Sequence, residues 1–334
     1  MDMISYFHSL TSKREFGLVV LIGLIAAAVG MIDSSFLAAS NIRDILVRSA
    51  PTVIVACGLM LVVVTGEIDI SVGSLMGLLA ACMGILLSTD HLGWSVWAGL
   101  PLVILSGSLI GGLTGLLVTW GRVPSIIATL GLLTALRGIT TLSMRGENID
   151  DLPNGLTELA KYGVFGLPLG LWVAIIVIAV TGVILNRTSP GRQLFAIGSS
   201  GYSASMLGLP VGRLKVFCFI YLGVLTALAT IVDVPRLPKI EAGIGSGFEL
   251  LVVTCVVVGG VSITGGRGSL TGVVLAVILL TMIRPALTFL DVGEAGEKWT
   301  KAIQGTLIVL AVISDSLSGG YAKMRNPAPA EAKP

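Results

Sequence analysis

Charge is scarce in this chain. Asp, Glu, Lys and Arg make up 12% of its 334 residues, against roughly 25% in soluble domains. Histidine is scarcer still, with His8 and His91 the only two, both outside the apolar runs. The sequence has no G-x-x-x-x-G-K-[ST], so it carries no P-loop for hydrolysing ATP. It also lacks G-x-S-x-G and H-E-x-x-H, the signatures of a hydrolase elbow and a zinc protease. No catalytic residue, metal site or bound cofactor is expected. The four cysteines, Cys57, Cys82, Cys218 and Cys255, all fall inside apolar runs. They read as small core residues, not as disulfides or metal ligands. A net charge of +2 leaves no electrostatic footprint for nucleic acid.

What remains is apolar. Hydrophobic residues make up 54% of the chain and the mean hydropathy is +0.97. Such a chain in water would expose large apolar patches and aggregate. A bilayer is the solvent that fits. The 43 glycines suit close packing of membrane helices.

A helix needs about 20 apolar residues to cross. Ten stretches qualify in whole or part: Phe16–Ile32, Pro51–Thr65, Val72–Leu87, Ser95–Trp120, Pro124–Leu142, Leu167–Leu185, Val216–Val232, Phe248–Ile263, Leu270–Leu290 and Lys301–Ile313. The short ones suggest broken helices lining a cavity, where irregular backbone is tolerated at depth. Lys13 and Arg14 precede the first stretch, which reads as an uncleaved anchor rather than a signal peptide. The positive-inside rule then puts the N-terminus in the cytoplasm. Alternation places Arg122, the loop with Arg187, Arg192, Arg213 and Lys215, and the tail with Lys323, Arg325 and Lys333 on that same side. Asp150, Asp151, Glu158, Asp291, Glu294 and Glu297 collect on the other. The expected fold is an all-α integral membrane protein of about ten transmembrane helices with both termini cytoplasmic. Residues 1–15 form a cytoplasmic segment, 16–315 the membrane domain and 316–334 a disordered tail. Ser40 is expected to cap a short external surface helix that ends before Pro51.

Several segments carry local signals. Thr65-Gly66-Glu67-Ile68-Asp69-Ile70-Ser71-Val72-Gly73-Ser74 places two carboxylates in an apolar stretch. Buried acids usually face a cavity or a partner. Glu67, Asp69, Ser71 and Gly73 therefore either line a solute pathway or form a turn whose acids cap the next helix. Sequence position leaves the two readings even. Val62-Val63-Val64-Thr65-Gly66, followed by Gly73-Ser74-Leu75-Met76-Gly77, recurs as Val256-Val257-Val258-Gly259-Gly260, followed by Gly268-Ser269-Leu270-Thr271-Gly272. Whether this is a true repeat stays open. The segment from Gly259 through Gly260 and Gly266 to Gly268 lacks the lysine of a phosphate cradle, and reads as a tight glycine turn. Gly107, Gly111 and Gly115 recur every fourth residue as a helix-packing face. Arg137 and Glu249 are left open between solute contact and internal pairing, and Arg284 reads as structural. The loop 187–213, with a short helix over Ser203–Leu207, reads either as a docking element for a cytoplasmic partner or as a basic connector.

These residues resemble a known family: the permease subunits of bacterial ABC importers for ribose, rhamnose, related monosaccharides and autoinducer-2. Gly66-Glu67-Ile68-Asp69-Ile70-Ser71-Val72-Gly73-Ser74 is similar to that family's G-G-I-D-L-S-V-G-S. Ala128-Thr129-Leu130-Gly131 after Pro124, Gly191-Arg192 with Ala196-Ile197-Gly198, and Gly245 with Glu249-Leu250 follow in order. Val258-Gly259-Gly260 and Gly265-Gly266-Arg267-Gly268-Ser269 complete the set. The resemblance implies a fold similar to vitamin B12-type importers in the bacterial inner membrane. It implies a second permease copy or paralogue, a separate ABC ATPase subunit and a periplasmic solute-binding protein. It implies a pathway or gate including Glu67, Asp69, Ser71, Gly73, Glu249, Gly260 and Gly266. It also implies ATPase coupling through Gly191, Arg192, Ala196, Gly198, Ala204 and Gly208. Glu67 departs from the pattern, standing where the family often has Gly. An ion-coupled secondary transporter, with Glu67 and Asp69 binding a cation, is the rival.

Overall fold

The computed structural model describes residues 14–162, 166–293 and 295–325. Among them it is helical with no strand. One antiparallel bridge joins Ile149 to Ile240. Seven helices among the described residues are long and apolar enough to cross a membrane. They are α1 (Arg14–Ile32), α2 (Ala39–Val64), α4 (Val96–Thr119), α5 (Ser125–Met144), α7 (Leu169–Arg187), α10 (Val211–Asp233) and α12 (Leu270–Phe289). Two shorter apolar helices are α3 (Val72–Leu87) and α11 (Phe248–Val258), and the short α6 (Asn154–Tyr162) precedes α7. The last, α13 (Ala295–Arg325), contains the tenth apolar stretch. It runs on into the region where the sequence predicts a disordered tail; residues 326–334 lie outside the described residues, as do 1–13.

The helix α2 is the axis of the bundle. Of its apolar span 94% is buried, against 11% for α1. It packs against α7, α10, α11 and α12, and its Ile54, Leu59 and Leu61 are wholly enclosed. The outer helices leave long apolar side chains uncovered, such as Leu109 and Leu113 on α4 and Ile175 and Ile176 on α7. This is the burial pattern of a lipid-facing rim.

One expectation is corrected here. Ser40 caps no separate surface helix, because α2 runs unbroken from Ala39 through Pro51. A proline inside a helix orphans the carbonyl four residues back. That carbonyl, on Val47, receives the Arg236 guanidinium at 3.4 Å. A distant arginine thus supplies the donor that the proline lacks.

Glycine sets how closely helices approach. The helix α4 lies along α10 with Gly107 and Gly111 against the backbone of Gly223 and Phe219, and Gly115 against Val216. A methyl at Gly107 would stand 2.5 Å from the Gly223 carbonyl oxygen. This is the small-residue packing that the spacing predicts.

The helix α3 has 16 residues and α11 has 11, about 24 and 16 Å at 1.5 Å per residue. Both fall short of the roughly 30 Å hydrocarbon core. Non-helical segments extend them. Residues 66–71 lead into α3, and a chain of turns over 240–247 leads into α11. The second segment runs antiparallel along the glycine face of α3: Gly84 meets Ile240, Gly77 meets Ile244, and Gly73 meets Gly245 and Glu249. The N-termini of the two short helices therefore meet inside the bundle.

Candidate functional site

Two glycine corners build one end of the bundle. At the first, Gly66 N–H donates to the Val63 carbonyl at 2.9 Å and Glu67 N–H to Val62 at 3.3 Å. At the second, Gly260 N–H donates to Val257 at 3.0 Å and Val261 N–H to Val256 at 3.2 Å. This paired bonding is the Schellman ending, which needs a left-handed residue after the cap. Gly66 at φ +83° and Gly260 at φ +95° supply it. The two matching Val-Val-Val stretches thus end in the same way, at the same register.

The corners touch. Gly266 N–H donates to the Val64 carbonyl at 2.9 Å, and a methyl on Gly265 would lie 2.8 Å from the Gly66 nitrogen. A third segment joins them. Thr188 caps α8 (Ser189–Ser199) by accepting from Gly191 N–H at 3.2 Å. Gly191 lets α8 turn against Ile184 and Leu185 of α7. At the far end of α8, Gly198 lies flush against the Val64 carbonyl and the Gly266 backbone. The short α9 (Gly201–Met206) follows, ended by Gly208 at φ +76°. It corresponds to the helix expected over Ser203–Leu207. Leu194, Ile197 and Ala204 face inward and are buried. Arg192 and Ala196 face out, as do Tyr202, Met206 and Leu207, which are 73%, 68% and 80% exposed. This apolar surface lies between α7 and α10, outside the helices long and apolar enough to cross a membrane.

The acids divide between two environments. Asp69 is buried, and its Oδ1 accepts from Ser71 N–H at 2.8 Å and from the Ser71 hydroxyl at 2.6 Å. It closes the turn that starts α3, and Ile68 N–H is tied to the Ser125 hydroxyl of α5 at 3.2 Å. Glu67 instead faces Lys215 in the second turn of α10, with Nζ 2.5 Å from Oε1. At the junction of the short helices, Glu249 Oε1 accepts from Gly247 N–H at 3.1 Å. Its Oε2 is buried against Gly73 with no hydrogen-bond partner among the described residues. Arg137 donates to the carbonyls of Ile244 at 2.6 Å and Ala242 at 3.3 Å, pinning the segment that descends along α3.

The sequence-predicted residues therefore fall into three connected groups. Glu67, Gly260 and Gly266 belong to the corners. Asp69, Ser71, Gly73 and Glu249 belong to the junction of the short helices. Gly191, Arg192, Ala196, Gly198, Ala204 and Gly208 belong to α8 and α9, and Gly198 joins that group to the corners. Sequence reasoning missed Lys215 as the partner of Glu67. No local signal names it, because the two residues lie 148 positions apart. Among the described residues no three His, Cys, Asp or Glu side chains converge as a metal site.

The family model described as branched-chain amino acid transport system / permease component matches residues 41–312. The ribose import permease protein of Haemophilus influenzae is 33% identical over 315 residues, covering 93% of this chain and 94% of its own length. That of Escherichia coli K12 is 31% identical over 318 residues, covering 93% and 96%. The autoinducer 2 import system permease protein of Yersinia pestis Pestoides F is 32% identical over 305 residues, covering 91% and 85%. No solved structure matches the chain.

Proposed function

Since this chain belongs to the branched-chain amino acid transport system / permease component family, we propose that it is the channel-forming permease of an ATP-binding-cassette importer for a monosaccharide or sugar-like solute. Ribose and autoinducer 2, named for its relatives, mark the solute class. Ten spans with both termini in the cytoplasm, set in the bacterial inner membrane, fit the distribution of charge and the ten apolar stretches. ATP is hydrolysed by a separate subunit, since the sequence has no P-loop. A second permease copy or paralogue completes the channel, and a periplasmic binding protein delivers the solute. No chemistry is done on the solute.

One observation carries this reading. The α8–α9 element presents Tyr202, Met206 and Leu207 outward, while its other side rests on both glycine corners through Gly198. A partner seated on that surface pushes directly on the turns that start α3 and α12. We assign the partner as the ATPase. Deleting 203–207, or replacing Arg192, is expected to abolish co-purification with the ATPase while membrane insertion persists. A complex that survives both changes refutes the assignment. Uptake into vesicles by this polypeptide alone refutes the ATP-driven mechanism. The cation-coupled rival loses ground here, because Glu67 is paired with Lys215 and Asp69 is engaged by Ser71.

A further inference from the structure

Glu67 is held by a residue 148 positions away. Lys215 lies in the second turn of α10, and the two side chains are only 17% and 20% exposed. Each charge alone would be poorly placed. An acid in an apolar turn needs a partner, and a mostly covered ammonium is costly unless it is paired. Together they answer each other. Both ends are stiffly mounted. Glu67 projects from the Schellman corner that ends α2, through its own N–H bond to Val62. Lys215 follows Pro210, where α9 gives way to α10. The helix α10 touches α8 and α9 at this end and then packs along α2, α3 and α4.

The geometry points to the Glu67–Lys215 pair as the tie that carries movement of α8–α9 to the α2–α3 turn, and through it to Asp69 and the start of α3. Both are positioning residues for the transport step. The glycine contact between α8 and the corners transmits a push, because overlapping backbones repel. It transmits no pull. An ion pair resists separation, so the element that closes the corners also draws them open again. The assignment rests on α8–α9 being the ATPase seat.

The test uses the assembled complex of this permease with its ATPase in lipid nanodiscs. Amide hydrogen exchange is followed by mass spectrometry, nucleotide-free and trapped with ATP and vanadate, over residues 189–206 and 65–74. In the unaltered complex, trapping changes exchange in both segments. In Glu67→Gln and Lys215→Met the ATPase stays bound and the change over 189–206 remains, while the change over 65–74 is lost. The swap Glu67→Lys with Lys215→Glu restores it. Single variants that keep the full change over 65–74 overturn the proposal. So does a swapped variant that binds the ATPase yet stays as defective as the singles. An unaltered complex with no change over 189–206 instead sinks the ATPase-seat reading on which the tie depends.

Discussion

Gly198→Ala places one methyl group where three pieces of backbone meet. The added carbon would overlap the Val64 carbonyl and the Gly266 nitrogen, and would stand 3.0 Å from Gly266 Cα. None of these atoms is a flexible side-chain tip, so relief requires a shift of α8 or of a corner. Overpacking of this kind costs about 1–3 kcal/mol. Losing the Gly266–Val64 hydrogen bond adds about 0.5–1.5 kcal/mol. Alanine's better helix propensity returns up to about 1 kcal/mol. The net expectation is a loss of about 0.5–4.5 kcal/mol, a factor of roughly 2 to 2,000 in the unfolding equilibrium. Gly201→Ala is the internal control, because a methyl there meets nothing within 4 Å; it is expected to change stability by less than about 0.5 kcal/mol. Reversible unfolding in mixed detergent micelles measures both, and ATPase co-purification reads the consequence at the docking surface. Equal behaviour of the two variants would show that the backbone contact at Gly198 carries no load.

Asp69→Ala removes the acceptor for the Ser71 N–H and hydroxyl and is expected to cost about 1–3 kcal/mol. Asp69→Asn keeps an oxygen at the same place and is expected to retain most of the stability, with equal losses in the two variants arguing against the turn role. Arg137→Met frees the carbonyls of Ala242 and Ile244. Amide exchange across 240–247 should quicken, and unchanged exchange would mean that the guanidinium does not pin that segment. Arg236→Met should destabilise the chain by about 1 kcal/mol through the Val47 carbonyl. The loss should shrink in a Pro51→Ala background, where the restored N–H serves that carbonyl; additive effects in the double variant would refute the pairing.

Much of the architecture was readable because it depends on near neighbours in the chain. The apolar runs located the helices, and the glycine spacing on α4 marked its contact with α10. The matching Val-Val-Val-x-Gly texts foreshadowed two corners that end alike. The hidden features depend on partners far along the chain. Nothing near Pro51 shows that Arg236 will serve the Val47 carbonyl, so local rules end a helix there that tertiary structure continues. Nothing near Glu67 names Lys215. The acids at 67 and 69 look alike in sequence, yet one ends in an interhelical ion pair and the other in a local turn, because only Asp69 has a serine two residues on within reach. Hydropathy also carries Phe248–Ile263 forward as one span, while the helix stops at Val258, where Gly260 takes a left-handed conformation.

Neither α3 nor α11 is a through-going shaft. A full-length rod tilts only as a whole, because its ladder of hydrogen bonds locks one half to the other. Each of these short rods has its tip inside the protein, and what continues beyond the tip is bent chain with no ladder to break. The far end of the bent segment is fastened separately, by the bridge between Ile149 and Ile240. Each short helix is thus jointed to the chain beside it and is not continuous across the bundle.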